Sequence, residues 1–116
     1  DLLNKVEKAL STDGPSFINV LSPCHRGWRI QPELSIDIAR LAVDACVWPL
    51  FEVEKGKWTI NYKPRTKKTV EEYMKLQVRF AHLFNDEKNK AIIVEVQSGV
   101  DKKWEELMFK EKTYNT

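Results

Sequence analysis

The feature that most constrains the fold is a short apolar segment that leads into a cysteine. Residues 17–21 read Phe-Ile-Asn-Val-Leu, and Pro23, Cys24 and Gly27 follow. A nearly continuous apolar run of this length is typical of a strand in a parallel sheet, where both faces are covered. Ligands and cofactors collect at the carboxyl ends of such strands. The sequence therefore places a thiol at an edge where bound groups are common.

Helices are predicted on both sides of this strand. Apolar spacing indicates a helix over 2–10, already under way at the first residues, so the natural start is expected upstream. Ser35 is a candidate N-cap for a helix over 35–47, which the Trp48-Pro49 step would end. A parallel strand needs neighbours, and the chain supplies none near 17–21. We therefore expect that strand to pair with segments outside this chain.

A hairpin and two further helices are predicted after residue 50. A two-residue loop at Lys55-Gly56 satisfies both faces of the hairpin in one register. The predicted pairs are Val53 with Trp58, Phe51 with Ile60, Glu54 with Lys57 and Glu52 with Thr59. Thr69 and Glu72 form a capping box that opens the next helix, and the last helix is expected over 91–108. The apolar stripes of these two helices are Tyr73, Leu76, Phe80, Leu83 and Phe84, and Ile92, Val96, Val100, Trp104 and Leu107.

Composition excludes several classes of protein. The net charge is +2, which is not the basic surface of a nucleic-acid-binding protein. No apolar run approaches the roughly 18 residues of a membrane span, and the N-terminus lacks the layout of a secretory signal, so a cytoplasmic location is expected by default. Two cysteines are too few for a disulfide framework, and Cys46 lies in an apolar helix where a thiol behaves as a small hydrophobe.

Most catalytic motifs are absent from the chain. It has no Walker loop, GxGxxG, HExxH or CxxC pattern, and its only histidines are His25 and His82. His25 follows Cys24, but adjacent side chains of an extended segment point in opposite directions, which argues against a Cys-His nucleophile. His82 falls on the polar side of its predicted helix and is assigned no role. Cys24 remains the one candidate for chemistry.

Several motifs together resemble a known family. They are Pro23-Cys24-His25-Arg26-Gly27-Trp28, the helix 36–43, Val47-Trp48-Pro49-Leu50-Phe51-Glu52, residues 70–77 and Arg79-Phe80. In order and spacing they resemble the C-terminal part of the beta subunit of pyruvate:ferredoxin oxidoreductases, in the 2-oxoacid:ferredoxin oxidoreductase family. Three positions differ from the family's usual pattern: His25 replaces a proline, and Cys46 and Val78 each replace a glycine.

The resemblance implies an α/β fold in two parts. Residues 1–28 would be the last helix, buried strand and cysteine loop of a thiamine-diphosphate-binding core. Residues 29–116 would be a C-terminal extension of a helix, a hairpin and two helices. On this reading the upstream part of the same subunit is the chain's first partner, together with the other subunits of the oxidoreductase.

The resemblance also implies a role for Cys24, which would be one of four cysteine ligands of a 4Fe-4S cluster. The other three ligands, and the motif that binds Mg²⁺ and the diphosphate of thiamine, would lie upstream. Arg26 would tune the reduction potential of the cluster, and a surface ion pair is an equally weighted alternative. No catalytic residue is expected within the chain.

The implied activity is that of pyruvate synthase, which converts pyruvate, coenzyme A and oxidised ferredoxin to acetyl-coenzyme A, CO₂ and reduced ferredoxin. Two alternatives stay open: the same chemistry on a branched-chain or other 2-oxo acid, and a catalytically silent module that binds a partner subunit. The isolated chain is expected to be inactive, because activity belongs to the assembly.

A basic segment between the hairpin and the next helix has two interpretations. Lys63, Arg65, Lys67 and Lys68 lie within six residues. They form either a docking patch for an acidic carrier such as ferredoxin or, with about twice the weight, a solvated linker. Nucleic-acid binding is a weaker third reading, because no aromatic residues are interleaved.

Overall fold

The computed structural model describes residues 1–115 and contains four α-helices, three short 3₁₀ turns and one hairpin within them. In chain order these are α1 (Leu2–Ser11), a 3₁₀ turn (Pro32–Leu34), α2 (Ser35–Asp44), β1 (Phe51–Glu54), β2 (Lys57–Ile60), α3 (Val70–Lys75), 3₁₀ turns at Val78–Leu83 and Glu87–Asn89, and α4 (Lys90–Tyr114). The mixture of helices with a two-stranded antiparallel sheet agrees with the predicted α/β class. Among the described residues, no helix is both long and apolar enough to cross a membrane.

The hairpin has the predicted register in all four pairs. Its turn residues Lys55 and Gly56 have φ values of 51° and 79°, the left-handed conformation that a type I′ turn requires at both positions. On one face the rings of Phe51 and Trp58 are stacked with their centroids 5.8 Å apart. Turn chemistry and the alternation of side chains therefore account for the register of this hairpin.

The core lies between α2, α3 and α4. Ile38 and Ala42 of α2 are fully buried against Val70, Tyr73 and Met74 of α3. A second cluster joins α4 to the hairpin, and its buried members are Cys46, Ile60, Trp104 and Leu107. These two clusters hold the described part of the chain after residue 29 together.

The predicted strand 17–21 is neither paired nor buried among residues 1–115, so its expected pairing with segments outside this chain stays a prediction. Phe17 is 88% exposed and Val20 is also exposed, and the segment is extended without a strand partner among residues 1–115. Backbone in the extended conformation becomes a strand only when another strand takes its hydrogen bonds. Helix α1 is confirmed, and none of its residues is buried.

Helix α2 is shorter than the predicted 35–47. It ends at Asp44. Ser35 is the first residue of the helix and not its N-cap, because a 3₁₀ turn leads directly into the helix, and no side chain caps the helix N-terminus. Cys46 adopts a φ of 58°, and its N–H donates to the Val43 carbonyl. A left-handed residue just past a helix end is the position where glycine is favoured. Cys46 thus occupies a position of special backbone conformation.

The helix opened by Thr69 is also shorter than expected. Its capping box is present in both directions, which confirms that prediction. The helix nevertheless ends at Lys75, and Leu76 is exposed instead of lying on the core face. The chain continues through the extended residue Gln77 into a 3₁₀ turn, so contacts elsewhere in the fold override the helical pattern.

Helix α4 is longer than the predicted 91–108, and its buried stripe differs in its first half. Trp104 and Leu107 are buried and Val100 packs against both clusters, as expected. Ile92 and Val96 are exposed, however, and Ile93 meets the core instead. The first turns of α4 therefore present a different face from the one that apolar spacing indicated.

Candidate functional site

The residues after Cys24 form a closed, helix-like loop. The Trp28 N–H donates to the Cys24 carbonyl at 2.9 Å, and the Ile30 N–H donates to the His25 carbonyl at 3.0 Å. A third bond runs from the Arg29 N–H to the Arg26 carbonyl at 3.3 Å, and Arg29 has a φ of 53°. These backbone bonds define the shape of the loop, which we call the Cys24 loop and define as residues 24–29.

The thiol of Cys24 is exposed and accepts a hydrogen bond from backbone. The Gly27 N–H lies 3.2 Å from Sγ. A Cβ at position 27 would lie 3.4 Å from the same sulfur, so glycine leaves the space beside Sγ open. An N–H aimed at sulfur stabilises negative charge there, and it is one of the interactions that tune metal-bound thiolates. The arrangement suits a sulfur that acts as a thiolate ligand.

The Cys24 loop is attached to the rest of the fold at its carboxyl end. The Val78 N–H donates to the Arg29 carbonyl at 3.2 Å, and the Arg79 N–H donates to the Trp28 carbonyl at 3.4 Å. Trp28 packs against the main core, and Ile30 is buried in it. The loop therefore presents Cys24 to solvent from a fixed base.

The side chains of Arg26, His25 and His82 make no hydrogen bond or ion pair with another described residue. Arg26 is exposed and forms no ion pair with a carboxylate of residues 1–115, so the ion-pair alternative is not seen. His82 is exposed, as expected of a surface histidine, and only its carbonyl is used, accepting from Asn89 Nδ2 at 2.7 Å. His25 is exposed and contributes its carbonyl to the loop.

Cys46 lies in a different environment. It is buried between α4 and the hairpin, and burial raises the pKa of its thiol. A thiol held neutral in an apolar cluster is inert as a nucleophile and as a ligand. Cys46 therefore packs as the small hydrophobe that the sequence predicted, although it lies past the end of α2 and not within a helix.

The basic segment is tied to neighbouring helices. Lys63 pairs with Glu111, Lys67 with Asp101 and Lys68 with Glu72. The ion pair with Lys67 lowers the pKa of Asp101, and the one with Lys63 lowers the pKa of Glu111. Arg65 is exposed. Because three of the four cations face carboxylates of the same chain, the geometry favours the linker reading over a docking patch.

Within residues 1–115, no group of three or more histidine, cysteine, aspartate or glutamate side chains is arranged to hold a metal ion. A 4Fe-4S cluster takes four thiolates, and Cys24 is the one exposed cysteine here. The donor set of this chain therefore fits one ligand of a cluster whose other ligands come from elsewhere.

Sequence reasoning missed Arg79 as a contact of the Cys24 loop and Gln77 as the residue that hydrogen-bonds Arg79. Arg79 entered only as part of a family motif, and Gln77 was read as one residue of a continuous helix. The available signal was a glutamine and an arginine two residues apart, beside the aromatic residue Phe80. Trp28, the partner of Arg79, is about fifty residues away in sequence, so periodicity gives no indication of the contact.

No protein-family model matches the chain. Pyruvate synthase subunit PorB of Thermotoga maritima is 47% identical to it over 108 residues, which are 93% of this chain and 33% of that protein. The PorB subunit of Methanocaldococcus jannaschii is 46% identical over 103 residues, which are 89% of this chain and 33% of that protein. This chain is a homologue of pyruvate synthase subunit PorB.

The similarity extends to a related enzyme with a different name. Ketoisovalerate oxidoreductase subunit VorB of Pyrococcus furiosus is 42% identical over 109 residues, which are 92% of this chain and 33% of that protein. The chain spans about a third of the length of these curated relatives, in their C-terminal part. The resemblance seen in the motifs is thereby confirmed.

Proposed function

We propose that this chain is the C-terminal part of the beta subunit of a pyruvate synthase and that Cys24 supplies one ligand to a 4Fe-4S cluster. The observation that carries the ligand assignment is the exposed Cys24 sulfur with the Gly27 N–H aimed at it. The similarity to PorB subunits supports the choice of enzyme.

The proposed reaction converts pyruvate and coenzyme A to acetyl-coenzyme A and CO₂, and the two electrons released reduce two ferredoxin molecules. When bound, thiamine diphosphate with Mg²⁺ and the iron-sulfur cluster supply the carbanion and electron-transfer chemistry. Their remaining binding residues belong to the part of the subunit upstream of this chain. The contribution of these 116 residues is to hold one ligand in a fixed position.

Three groups of the Cys24 loop divide that task. Cys24 would ligate iron through Sγ, and the Gly27 N–H would stabilise the charge on that sulfur. Arg26 is exposed in the same loop, and a positive charge near a cluster raises its reduction potential. The backbone bonds within the loop keep these groups together.

The apolar surface of α1 and residues 17–21 supports a second element of the proposal. Its exposed side chains are Leu2, Leu3, Val6, Leu10, Phe17, Ile18 and Val20. We assign this surface to contact with the upstream part of the same subunit, so that 17–21 becomes a covered strand of a thiamine-diphosphate-binding core. Residues 1–28 then belong to that core and 29–116 to an extension, in a cytoplasmic complex with the other subunits and ferredoxin.

A second substrate is favoured by one observation, the 42% identity to a ketoisovalerate oxidoreductase subunit. The assembled complex carrying this subunit should oxidise pyruvate with a higher kcat/KM than 3-methyl-2-oxobutanoate. The reverse order, measured with the same electron acceptor, would assign the subunit to a branched-chain 2-oxo acid enzyme.

The ligand assignment is tested by Cys24→Ser in the full-length complex. A hydroxyl is a much poorer iron ligand than a thiolate, so one cluster should be lost or destabilised and electron transfer to ferredoxin sharply reduced. Cys46→Ala is the matched control and should keep its iron, at a packing cost on the order of 1 kcal/mol.

Iron content and the EPR signal of the reduced clusters decide the matter. Normal iron and a normal signal in the Cys24 variant would overturn the ligand assignment and favour a silent interaction module. The isolated 116-residue chain, supplied with pyruvate, coenzyme A, thiamine diphosphate and an electron acceptor, should reduce no acceptor. Substrate-dependent reduction would contradict the proposed dependence on the assembly.

A further inference from the structure

Arg79 differs from the other arginines of the chain in its surroundings. Arg26, Arg29, Arg40 and Arg65 are exposed and make no ion pair within residues 1–115. The guanidinium carbon of Arg79 instead lies 4.1 Å from the ring centroid of Trp28 and 4.5 Å from that of Phe80. A guanidinium this close to two rings gains cation–π and stacking energy.

Gln77 fixes the orientation of Arg79 from the side of the core. Its side chain is 1% exposed, and its Oε1 accepts from Arg79 Nε at 2.8 Å. Its Nε2 donates to the Tyr73 carbonyl at 2.7 Å. Both ends of the buried amide are therefore used, and releasing either one would leave a buried polar group without a partner. The plane of the guanidinium is held by groups that cannot easily move.

The same short segment also binds the backbone of the Cys24 loop. The bonds from the Val78 and Arg79 N–H groups end on the carbonyls of Arg29 and Trp28. The loop residues themselves are exposed or half-buried, so they have little packing of their own to restrain them. Val78 and Arg79 thus hold the carboxyl end of the loop through two backbone bonds and one stacked side chain.

We infer that Arg79, oriented by Gln77, is a positioning residue that holds the Cys24 loop, and with it the Cys24 sulfur, in place for ligation. Arg79 acts through Trp28 and does not contact the sulfur's ligand position itself. The inference about the sulfur rests on the proposed cluster-ligand function of Cys24. The contact with the loop stands on geometry alone.

The test uses the full-length complex with Arg79→Met, which keeps an aliphatic stem but removes the guanidinium. Arg65→Met is the matched control, because it makes the same chemical change at an exposed arginine without an ion pair. Hydrogen exchange across residues 24–30 should accelerate roughly tenfold in Arg79→Met, the scale of a lost half-buried cation–π contact with its hydrogen bond. It should stay unchanged in the control.

Two spectroscopic and kinetic readouts connect the loop to the sulfur. Arg79→Met should alter the EPR line shape of one reduced cluster and raise the rate of iron release, whereas Arg65→Met should alter neither. Arg79→Lys keeps the charge but lacks the planar fork and Nε, so it should rescue little. Trp28→Leu should also accelerate exchange in the loop, and the effect of the double variant should be smaller than the sum of the two single effects, because both remove the same contact.

The outcomes separate this inference from the proposed function. Unchanged hydrogen exchange in Arg79→Met would overturn the inference. It would also be overturned if exchange in Arg79→Met is faster but its EPR signal and iron release rate are normal, while Cys24→Ser loses its cluster. If Arg79→Met also accelerates exchange in α4, the Trp28→Leu variant decides. Faster exchange confined to residues 24–30 in Trp28→Leu supports the inference, and faster exchange throughout the chain overturns it. Normal iron in Cys24→Ser overturns only the proposed function, because the exchange comparison between Arg79→Met and Arg65→Met does not involve the cluster.

Discussion

Residues 1–28 and residues 29–115 contain similar apolar side chains, but most of these side chains are exposed in the first part, whereas most are buried or half-buried in the second. No residue of 1–28 is buried, and Leu10 and Phe17 are 82% and 88% exposed. The later part buries two apolar clusters, and no buried side-chain nitrogen or oxygen among the described residues lacks a hydrogen-bond partner. The difference lies in the partners each part has, because apolar residues contribute to stability only when another surface covers them.

The Cys24 loop lies where these two parts meet. On its amino side is the extended segment 17–21, and on its carboxyl side are Trp28 and Ile30, which contact the core. The sulfur is therefore exposed in a loop whose carboxyl end is anchored to the core.

The largest test of the comparison is Ile38→Ala against Leu10→Ala in the 116-residue chain. Ile38 is fully buried, so its truncation should lower the free energy of unfolding by about 2–5 kcal/mol. Leu10→Ala should change it by less than about 0.5 kcal/mol, because the side chain is already in water. Urea denaturation measures both.

The same pair sharpens the comparison in the full-length subunit. There Leu10→Ala should cost more than about 1 kcal/mol, because the proposed upstream part would cover that side chain. Equal, small effects of Leu10→Ala in the short chain and in the full subunit would contradict the assignment of this surface to an intramolecular contact.

A smaller effect concerns the end of α2, within the well-packed part. Both Cys46→Gly and Cys46→Ala remove the buried thiol, but only glycine relieves the left-handed backbone at a φ of 58°. Cys46→Gly should therefore be more stable than Cys46→Ala by about 1 kcal/mol in thermal or urea unfolding.

Ala45→Gly is the control for that comparison. Ala45 is buried one position earlier, with a φ of −86°, where any L-residue fits. Glycine there should destabilise the chain by about 1 kcal/mol, the opposite sign. Cys46→Ala matching or exceeding Cys46→Gly in stability would show that the backbone at 46 is not strained.

The smallest expected effect is on acid stability. The hydrogen bond from Lys63, and then that from the Ile60 N–H, lower the pKa of Glu111 below its ordinary value of 4.5. Its folded form binds fewer protons than its unfolded form in that range, so the stabilisation is present above about pH 4.5 and is lost as pH falls through the lower folded pKa. The pair is exposed to solvent, so we expect at most about 0.5 kcal/mol.

Urea unfolding of Glu111→Gln between pH 7 and pH 3 measures that contribution. The difference from the unchanged chain should shrink as the pH falls below 4.5. Glu106→Gln, at an exposed position of α4 that has no ion pair with a described residue, is the control and should leave the free energy of unfolding at pH 7 unchanged. If the difference in the free energy of unfolding between Glu111→Gln and the unchanged chain grows toward low pH, the predicted stabilisation by Glu111 is wrong in sign.

Local chemistry explains which elements were predictable from sequence. The hairpin register follows from Lys55-Gly56 and alternation, and the capping box follows from Thr69 and Glu72, so both were predicted correctly. The ends of α2 and α3 were not, because they depend on the left-handed Cys46 and on Gln77 reaching the Tyr73 carbonyl. Such ends are decided by contacts that apolar spacing does not encode.

The candidate site shows the same division. The burial of Cys46 and the position of Cys24 in a turn were predicted, because each follows from its neighbours in sequence. The contact of Arg79 with Trp28 was not, since it joins residues that are distant along the chain. Its prediction would require knowing in advance that α3 ends early.

The way α4 meets the hairpin limits how the small sheet can grow. The backbone groups of Trp58 and Ile60 point outward from β2, away from β1. The Asn115 amide accepts from the Trp58 N–H and donates to the Trp58 carbonyl, and the Glu111 carboxylate accepts from the Ile60 N–H. Side chains of the helix thus replace the third strand that this edge would otherwise recruit. Within the described chain, β1 carries the one edge left open for a further strand, so any sheet that includes this hairpin must be extended from the side of Phe51 and Val53.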